Sequence, residues 1–406
     1  MNKKTFHYAW IILVAVSLIR GVAGPALNGS SGLFLSPVSS DLGVGIGQLS
    51  LYLSISSIVT LFWLPIAGHI LNKYSIKFVV LLGIVLQAGG FVVLGFMKSI
   101  WGWYIMAIPL AMGAVLLVNL LGPVLINRWF VAKRGLAMGL MMAITGGLGA
   151  IFQPLLSQMI ANNGWRFTYI IFGVGALGIV AVIGLFLKSR PEEKKIKAYG
   201  FDMASQDNES KEVSGVDVMV ARKSTAFYML LLFMIAITGF SVFQQHITTF
   251  GLNVGYSLST IGTALSLSMI GSAIGSLLIG FASDKIGIMK TTYTVIVIGI
   301  ISILLYMFGS QYYFIFASAT FLHGLAMSSI GIVAPILTTS FFGMKDYEKI
   351  FSLVMIGSPL ASIVLVPAYG FIYDMFKSYQ FVFIFLIIIL LIGGLSLSIG
   401  RKKANQ

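Results

Sequence analysis

Long apolar stretches recur along the whole chain, and short polar segments separate them. A hydrocarbon core ~30 Å thick is crossed by ~20 apolar residues in an α-helix, and the stretches are of that length. Hydrophobic residues make up 58% and charged residues 9% of the 406 positions, far from the averages of soluble domains. The strands of a membrane barrel would instead alternate polar and apolar residues over ~10 positions. The sequence therefore predicts an all-α integral membrane protein with twelve transmembrane helices, centred near residues 20, 60, 88, 113, 148, 176, 238, 269, 300, 324, 360 and 389.

The basic residues are distributed unevenly between the two sides of the predicted membrane. With the N-terminus in the cytoplasm, the lysines and arginines between the spans all lie on the cytoplasmic side except Lys98, Arg166 and Lys377. Cytoplasmic loops of membrane proteins carry this excess of positive charge. We therefore expect a multi-pass protein of the cell membrane with both termini in the cytoplasm. For the same reason, the net charge of +14 does not indicate a nucleic acid partner.

One polar segment, residues 188–224, divides the chain into two halves. It is rich in charged residues and poor in aromatic ones, which is typical of a flexible linker. A regulatory role for this segment is the alternative. The predicted organisation is an N-terminal six-helix bundle at 1–187, a cytoplasmic linker at 188–224 and a C-terminal six-helix bundle at 225–406.

The two halves resemble each other at one fixed spacing. Gly68 in "GHILNKYSIK" and Gly280 in "GFASDKIGIMK" are 212 residues apart. The same spacing relates "WF" at 129–130 to "FF" at 341–342. Many transporters are built from two repeated halves, with the substrate pathway between them near the middle of the membrane. The repeat therefore indicates a carrier.

Arg20 is the only charged residue predicted to lie near the middle of a span. It lies about twelve residues into the first span, which corresponds to ~18 Å at 1.5 Å per residue. A charge at that depth is unfavourable in a bilayer and therefore indicates a function. A guanidinium can hold a carboxylate through two parallel hydrogen bonds, so Arg20 favours an anionic substrate. The alternative is that Arg20 bonds backbone carbonyls freed near Gly21 and Pro25, or a neighbouring amide, and supports the fold.

Other polar residues inside the spans complete the predicted site. No aspartate or glutamate lies within a span interior, which argues against a cation carrier and against a carrier that relies on a buried acid. Histidine has an unperturbed pKa of ~6.5, so His323 in the tenth span is the candidate for proton coupling. The alternative, for both His323 and His246, is a neutral ring hydrogen-bonded within the bundle. The predicted substrate-binding residues are Arg20, Asn28, Asn119, Gln153, Gln244, Gln245 and His246.

The segment "GFASDKIGIMK" resembles the loop signature of the major facilitator superfamily, and the resemblance covers essentially the whole chain. It implies the major facilitator fold, two pseudo-symmetric six-helix bundles around a central cavity. In such a fold Gly280 would let helix ends pack closely, and Asp284 would bond a helix N-terminus or a cation when the cytoplasmic side closes. The first copy of the loop has Asn72 where the aspartate is expected. The implied cytoplasmic gate comprises Gly68, Asn72, Lys73, Arg128, Arg134, Gly280, Asp284 and Lys285.

Two further segments, "NRWFVAKRGLAMG" and "SPVSSDLGVGIGQLS", are similar to loops of the monocarboxylate transporter and oxalate/formate antiporter branch. This resemblance implies transport of small organic anions, with an arginine in the eighth span of many members. Ser276 stands near that position here. We therefore expect Arg20 to take over the anion site, with Gly21, Gly24, Pro25 and Gly29 giving the helix room to bend around a ligand.

Together these features predict a secondary transporter that moves a small mono- or dicarboxylate by alternating access, as proton symport or exchange. We expect no cofactor and no metal site, because the spans hold no zinc motif, paired carboxylates or nucleophile with a base. The expected partners are the substrate, protons and the lipid bilayer, and we expect a monomer. Two alternatives remain open, an exporter of amphipathic or drug-like compounds and a non-transporting membrane sensor.

Overall fold

The structure is a computed structural model, and it describes residues 7–131, 133–201 and 215–404. Eleven of its helices are long and apolar enough to cross a membrane. One of them, Arg134–Phe186, is interrupted at Gly164, where φ is 81°, and so contains two spans. The predicted all-α membrane fold is thereby confirmed. The spans are α1 Ala9–Leu42, α2 Ile46–Leu71, α3 Ile76–Leu94, α4 Ile100–Trp129, α5 134–163, α6 165–186, α7 Thr225–Val254, α8 Leu258–Ile286, α9 Ile288–Gly309, α10 Tyr313–Phe342, α11 Lys349–Phe376 and α12 Gln380–Ala404.

Serines in the short polar segments set where several spans begin. The side chain of Ser224 accepts a hydrogen bond from the backbone N–H of Phe227 at 3.2 Å, which caps α7. Ser257 caps α8 in the same way, with the N–H of Thr260 at 3.2 Å. The first N–H groups of a helix lack partners within the helix, and a serine oxygen satisfies one of them. The polar residues between the apolar stretches therefore start the next helix as well as separating two spans.

Five spans, α1, α4, α7, α10 and α11, contain an interruption of the regular α-helix in their interior, and the one in α11 lies at Ile356. Residues Val22–Asn28 form a π-helical turn in α1, and Val115–Leu120 form another in α4. Phe243–His246 form a 3-10 turn in α7, and α10 is interrupted at 328–329. The interruptions in α4 and α10 lie about 212 residues apart in the sequence, which is the spacing that relates the two halves. Because π-helical turns occur frequently at functional sites, α1 and α4 are where a site is expected.

The first of two compact units comprises Met1–Ser31 and Val59–Ser210. Within it α3 packs closely on α6, since a Cβ atom on Gly173 would come 2.6 Å from the side chain of Val92. The first span packs on α5 at Gly21, where a Cβ atom would overlap the side chain of Leu148. Small residues allow helices to approach in this way inside a membrane. Gly21 therefore serves helix packing in addition to the bending that the sequence suggested.

The second compact unit comprises Gly32–Ile58 and Lys211–Gln406. Its α8 and α10 are in backbone contact, because a Cβ atom on Gly275 would come 2.5 Å from the carbonyl oxygen of Leu325. The small residues of α8 therefore serve helix packing. We call residues 32–58, the end of α1 and the start of α2, the far-side hairpin. This hairpin precedes the linker in the sequence, yet it packs within the second unit.

Asp374 at the end of α11 fixes the far-side hairpin at the start of α2. Its two carboxylate oxygens accept hydrogen bonds from the backbone N–H groups of Ile46 at 3.0 Å and Gly47 at 2.7 Å. A Cβ atom on Gly45 would come 2.5 Å from one of these oxygens, so glycine leaves room for the carboxylate. Carboxylates at helix N-termini are favourable because they pair free N–H groups and oppose the positive end of the helix dipole.

The first end of the linker is bonded to the loop after α4, within the first unit. The backbone N–H of Tyr199 donates to the carbonyl of Trp129 at 2.8 Å, and the N–H of Val131 donates to the carbonyl of Tyr199 at 2.9 Å. The Tyr199 ring also packs edge-on against Trp10. We call the end of the spans where this loop lies the linker side. Main-chain pairing therefore joins this part of the predicted linker to the first unit.

The other end of the linker is bonded to the equivalent loop after α10, within the second unit. The N–H of Val216 donates to the carbonyl of Phe342 at 2.8 Å, and the N–H of Val218 donates to the carboxylate of Asp346 at 3.0 Å. This hydrogen bond from the backbone, together with a side-chain hydrogen bond from the Lys349 ammonium, lowers the pKa of Asp346 below its usual value. Residues 202–214, the middle of the predicted linker, lie outside the described part of the chain.

Candidate substrate-binding site

Arg20 lies in α1 immediately before the π-helical turn, and its guanidinium is part-buried. One terminal nitrogen donates a hydrogen bond to the backbone carbonyl of Val118, in the π-helical turn of α4. The Nε atom is buried and makes no hydrogen bond within the described residues. The predicted alternative of a backbone partner is thus realised in part, but by a carbonyl of α4 and not by one near Pro25. The free N–H leaves this guanidinium able to donate to a further acceptor.

Three amide side chains predicted for the site lie in the same unit as Arg20. Asn119 follows Val118 directly and is exposed, although it lies inside a span. Asn28, the last residue of the π-helical turn of α1, is exposed as well. Gln153 of α5 is 1% exposed and donates to the carbonyl of Gly29 at 3.4 Å, while its own oxygen is unpaired. Polar groups inside a span face the bundle interior or a water-filled cavity, so each of these side chains is suited to contact with a polar ligand.

The positive charge of the Arg20 guanidinium is not neutralised by an acidic side chain of the described residues. Apart from Asp41, Asp284 and Asp374 in the last three residues of their spans, the described residues of the spans include no aspartate or glutamate, and Arg20 forms no ion pair. A guanidinium with a free N–H beside amide groups offers donors for the oxygens of an anion. The arrangement can therefore bind a carboxylate, and it offers no anionic ligand for a cation.

The remaining predicted substrate ligands, Gln244, Gln245 and His246, lie in the 3-10 turn of α7 in the second unit. His246 is fully buried, with one ring nitrogen 2.8 Å from the carbonyl of Val366 and the other 3.3 Å from the hydroxyl of Tyr379. Gln244 is buried and accepts a hydrogen bond from Ser268 at 3.0 Å. Gln245 is the most accessible of the three. His246 is thus placed as the alternative reading had it, as a ring hydrogen-bonded within the bundle.

His323, the predicted proton carrier, lies in an aromatic cluster of the second unit. Its ring centre is 4.4 Å from that of Phe240, and the rings of Phe243 and Tyr306 complete the surroundings. The side chain is fully buried and makes no hydrogen bond within the described residues, although the carbonyl of Ser241 is near. A route for protons to this ring would require the aromatic side chains to move apart.

The predicted gate residues of the first unit divide into two groups. Arg128 donates to the hydroxyl of Ser189 at 2.9 Å, and Arg134 donates to the carbonyl of Phe130 at 2.6 Å, so both tie the α4 loop to its surroundings. Lys73 is exposed, and its ammonium lies 5.7 Å from the ring of Tyr74. A Cβ atom on Gly68 would meet nothing within 4 Å. The side chain of Asn72 lies outside the described part of the chain.

The predicted gate residues of the second unit make few contacts. Asp284 is exposed and forms no hydrogen bond or ion pair among the described residues, and Lys285 lies over the ring of Phe281 at 5.7 Å. A Cβ atom on Gly280 would meet nothing within 4 Å, so the close packing expected of this glycine is not present in this structure. The Asp284 bond expected of a closed gate is absent from the described contacts, because no helix N-terminus or cation lies against this carboxylate.

Sequence reasoning did not anticipate three features of this region. The π-helical turn of α4 has no local signal, because no proline or glycine lies within Val115–Leu120. Gln87 bonds the carbonyl of Ala23 at 2.7 Å and ties α3 to the turn of α1. Asp374 was visible as an acid near the end of a span, but its partner lies far away in the sequence. For α1, Pro25 was a usable signal, since proline removes a backbone donor.

Comparison with known proteins agrees with the fold and the loop motifs. The family model described as Major Facilitator Superfamily matches residues 9–257 and 229–405. The chain belongs to the Major Facilitator Superfamily. Its members are membrane transporters and not enzymes, and a small-molecule substrate and the lipid bilayer follow as partners of this transporter.

Individual relatives are more distant. The transporter is 25% identical over 302 residues to the oxalate:formate antiporter of Oxalobacter formigenes, covering 74% of this chain and 68% of the relative. It is 28% identical over 139 residues to the fujikurins efflux protein of Gibberella fujikuroi, covering 33% of this chain and 29% of the relative. The solved structure of the nucleoside transporter NupG matches with a TM-score of 0.76 at 14% identity, covering 96% of this chain and 99% of that one. The likeness to the first relative agrees with the branch that the loop motifs indicated.

Proposed function

We propose that this protein is a secondary transporter of small mono- or dicarboxylates that works by alternating access in the cell membrane, with both termini in the cytoplasm. The observation that carries this proposal is the Arg20 guanidinium, which lies inside α1 with a buried N–H unpaired and no acidic residue beside it. A cation in such surroundings is stabilised by an anionic ligand. Asn28 and Asn119 supply further donors on the same unit.

The likeness to an oxalate:formate antiporter supports a small carboxylate as the substrate class. The mode we favour is exchange of one carboxylate for another. His246 has hydrogen-bond partners at both ring nitrogens, and His323 is enclosed by aromatic rings, so neither histidine has an evident path to a proton in solution. Proton symport through His323 is the alternative, and it predicts uptake that rises as the external pH falls.

Uptake of labelled formate, oxalate and lactate into proteoliposomes tests the substrate class. We expect Arg20→Gln to reduce uptake about 100-fold, which corresponds to the loss of ~3 kcal/mol from a charge-assisted pair. Uptake by Arg20→Lys should lie between that of the wild type and that of Arg20→Gln, because an ammonium keeps the charge but loses the two parallel bonds of the guanidinium.

Arg166→Gln is the matched control, because Arg166 also donates to a backbone carbonyl, that of Met97 at 3.3 Å, but lies near the end of a span. This variant should transport like the wild type. Size-exclusion elution and melting temperature establish that the Arg20 variants are folded. Carboxylate uptake by a folded Arg20→Gln protein at the wild-type rate would contradict the proposal.

A second candidate function is export of amphipathic compounds, and the likeness to the fujikurins efflux protein favours it. In that case Arg20 would serve the fold through its bond to Val118. Wild-type proteoliposomes would then take up none of the three carboxylates, and amphipathic compounds would raise the melting temperature of the protein instead.

A further inference from the structure

A groove runs along the first unit at its linker side, between the start of α1 and the end of α6. It encloses about 380 Å³, and its walls are apolar, formed chiefly by Ile11, Val14, Leu18, Ile183 and Phe186. Ile11 and Val14 are each 47% exposed and Phe186 is 74% exposed, so the groove opens on the outer surface of the unit. A groove of this composition inside a membrane is suited to an acyl chain.

The linker-side end of the groove carries aromatic and cationic groups. Tyr8 and Trp10 line this end, and the hydroxyl of Tyr8 donates to the carbonyl of Phe186 at 3.4 Å. The ammonium of Lys194 lies 4.9 Å from the centre of the Tyr8 ring. Tyrosine and tryptophan are enriched where a membrane meets water, and lysines there reach toward lipid headgroups.

Two hydrogen bonds hold the basic stretch of the linker, residues 188–197, beside this end of the groove. The indole of Trp129 donates to the carbonyl of Lys188 at 3.2 Å, and the ring of His7 lies 3.2 Å from the carbonyl of Lys197. Between these two anchors, Pro191–Lys194 form a turn of 3-10 helix. The anchors therefore keep the stretch from 188 to 197 beside the groove.

The charge of this stretch is positive. It contains five basic residues against two acidic ones, and Glu193 is already engaged by the N–H groups of Ser189 and Arg190 at 2.9 and 3.2 Å. Lys194, Lys195 and Lys197 are exposed. Basic residues beside a membrane attract anionic headgroups, and they do not attract zwitterionic ones to the same degree.

We propose that this groove is a binding site for an anionic phospholipid. One acyl chain lies between α1 and α6, and the phosphate-bearing headgroup is held by Lys194 and Lys195. The lipid then contacts both the first span and the linker. The site takes its specificity from the pairing of an apolar groove with a fixed cationic stretch, and it is independent of the proposed substrate.

Thermal unfolding of the purified transporter with added lipid tests this site. We expect phosphatidylglycerol to raise the melting temperature of the wild type by about 3 °C, and phosphatidylcholine to raise it by less than about 1 °C. The double variant Lys194→Gln/Lys195→Gln should lose most of the difference between the two lipids. The double variant Lys290→Gln/Lys345→Gln, which removes two lysines elsewhere, should keep it.

Native mass spectrometry gives a second readout that does not depend on unfolding. The wild type should retain one phosphatidylglycerol after delipidation, and Val14→Phe, which fills the groove, should retain none while its melting temperature without lipid stays unchanged. Equal stabilisation by the two lipids, or an undiminished phosphatidylglycerol effect in the Lys194/Lys195 variant, would overturn the proposal.

Discussion

Gly324 in α10 shows how strongly single residues constrain this fold. A Cβ atom at this position would overlap the backbone carbonyl oxygen of Ser268 in α8, and backbone atoms cannot move aside as a flexible side chain can. Gly331, in the same span, has nothing within 4 Å of such a Cβ atom. The two glycines therefore form a matched pair, one required by packing and one replaceable.

We predict that Gly324→Ala lowers the free energy of unfolding by about 1–3 kcal/mol, the range for an overpacked helix contact. Gly331→Ala should leave it unchanged or raise it slightly, since alanine is the better helix former. Melting temperatures of the two variants in detergent provide the measurement. Equal melting temperatures would mean that α8 and α10 are not packed as closely as the structure has them.

At the scale of elements, the far-side hairpin is bonded to α11 by the carboxylate of Asp374 and by the hydroxyl of Ser54, which donates to the carbonyl of Ile363 at 2.7 Å. Asp374 bonds two N–H groups at the start of α2, while Asp284, predicted for the opposite gate, bonds nothing among the described residues. The two carboxylates thus differ within one structure, since Asp374 has hydrogen-bond partners and Asp284 has none among the described residues. Freeing the start of α2 should favour conformations in which the far side is open.

We predict that Asp374→Asn makes the interior more accessible from the far side, because an amide pairs less strongly with two N–H groups than a carboxylate does. The chain has no cysteine, so Asn28→Cys in the interior of α1 is a unique label site. Its labelling by an impermeant thiol reagent added on the far side should speed up severalfold in the Asp374→Asn background. Lys377→Gln removes a charge at the same end and is the control. An unchanged labelling rate with Asp374→Asn would show that the carboxylate does not hold this end closed.

The elements themselves were largely predictable, whereas among their interruptions the one in α1 had a sequence signal in Pro25 and the one in α4 had none. Apolar length predicted the spans, because a bilayer admits few alternatives to a long helix. The spacing of 212 residues anticipated that the loops after α4 and α10 are equivalent, and each of them accepts a main-chain bond from one end of the linker. The π-helical turn at Val115–Leu120 depends on its neighbours in space, since Arg20 bonds a carbonyl that the turn presents. Composition alone described the linker poorly, because its anchors are backbone groups that composition does not reveal.

At the scale of the whole molecule, exchange makes a prediction that proton symport does not. The substrate site of an exchanger changes sides only when substrate is bound. External substrate is therefore taken up faster when substrate is also present inside the vesicle, because the inner substrate carries the site back to the outside. We predict that preloading proteoliposomes with formate speeds oxalate uptake at least about tenfold, a coupling of ~1.4 kcal/mol in rate terms. A protonophore should have no effect on this uptake. Strong inhibition by the protonophore, with no response to preloading, would favour symport and return His323 to the mechanism.

In the proposed site the charge is carried by Arg20, a residue of the protein, and not by a bound ion. A positive charge that crosses an electric field changes in energy by ~2.3 kcal/mol for each 100 mV. If the empty site were to change sides, Arg20 would experience that difference, whereas a bound monocarboxylate cancels it. The voltage across the membrane therefore acts on the empty carrier more than on the loaded one. Exchange of two monoanions would be electrically silent, and exchange of a dianion for a monoanion would generate a current.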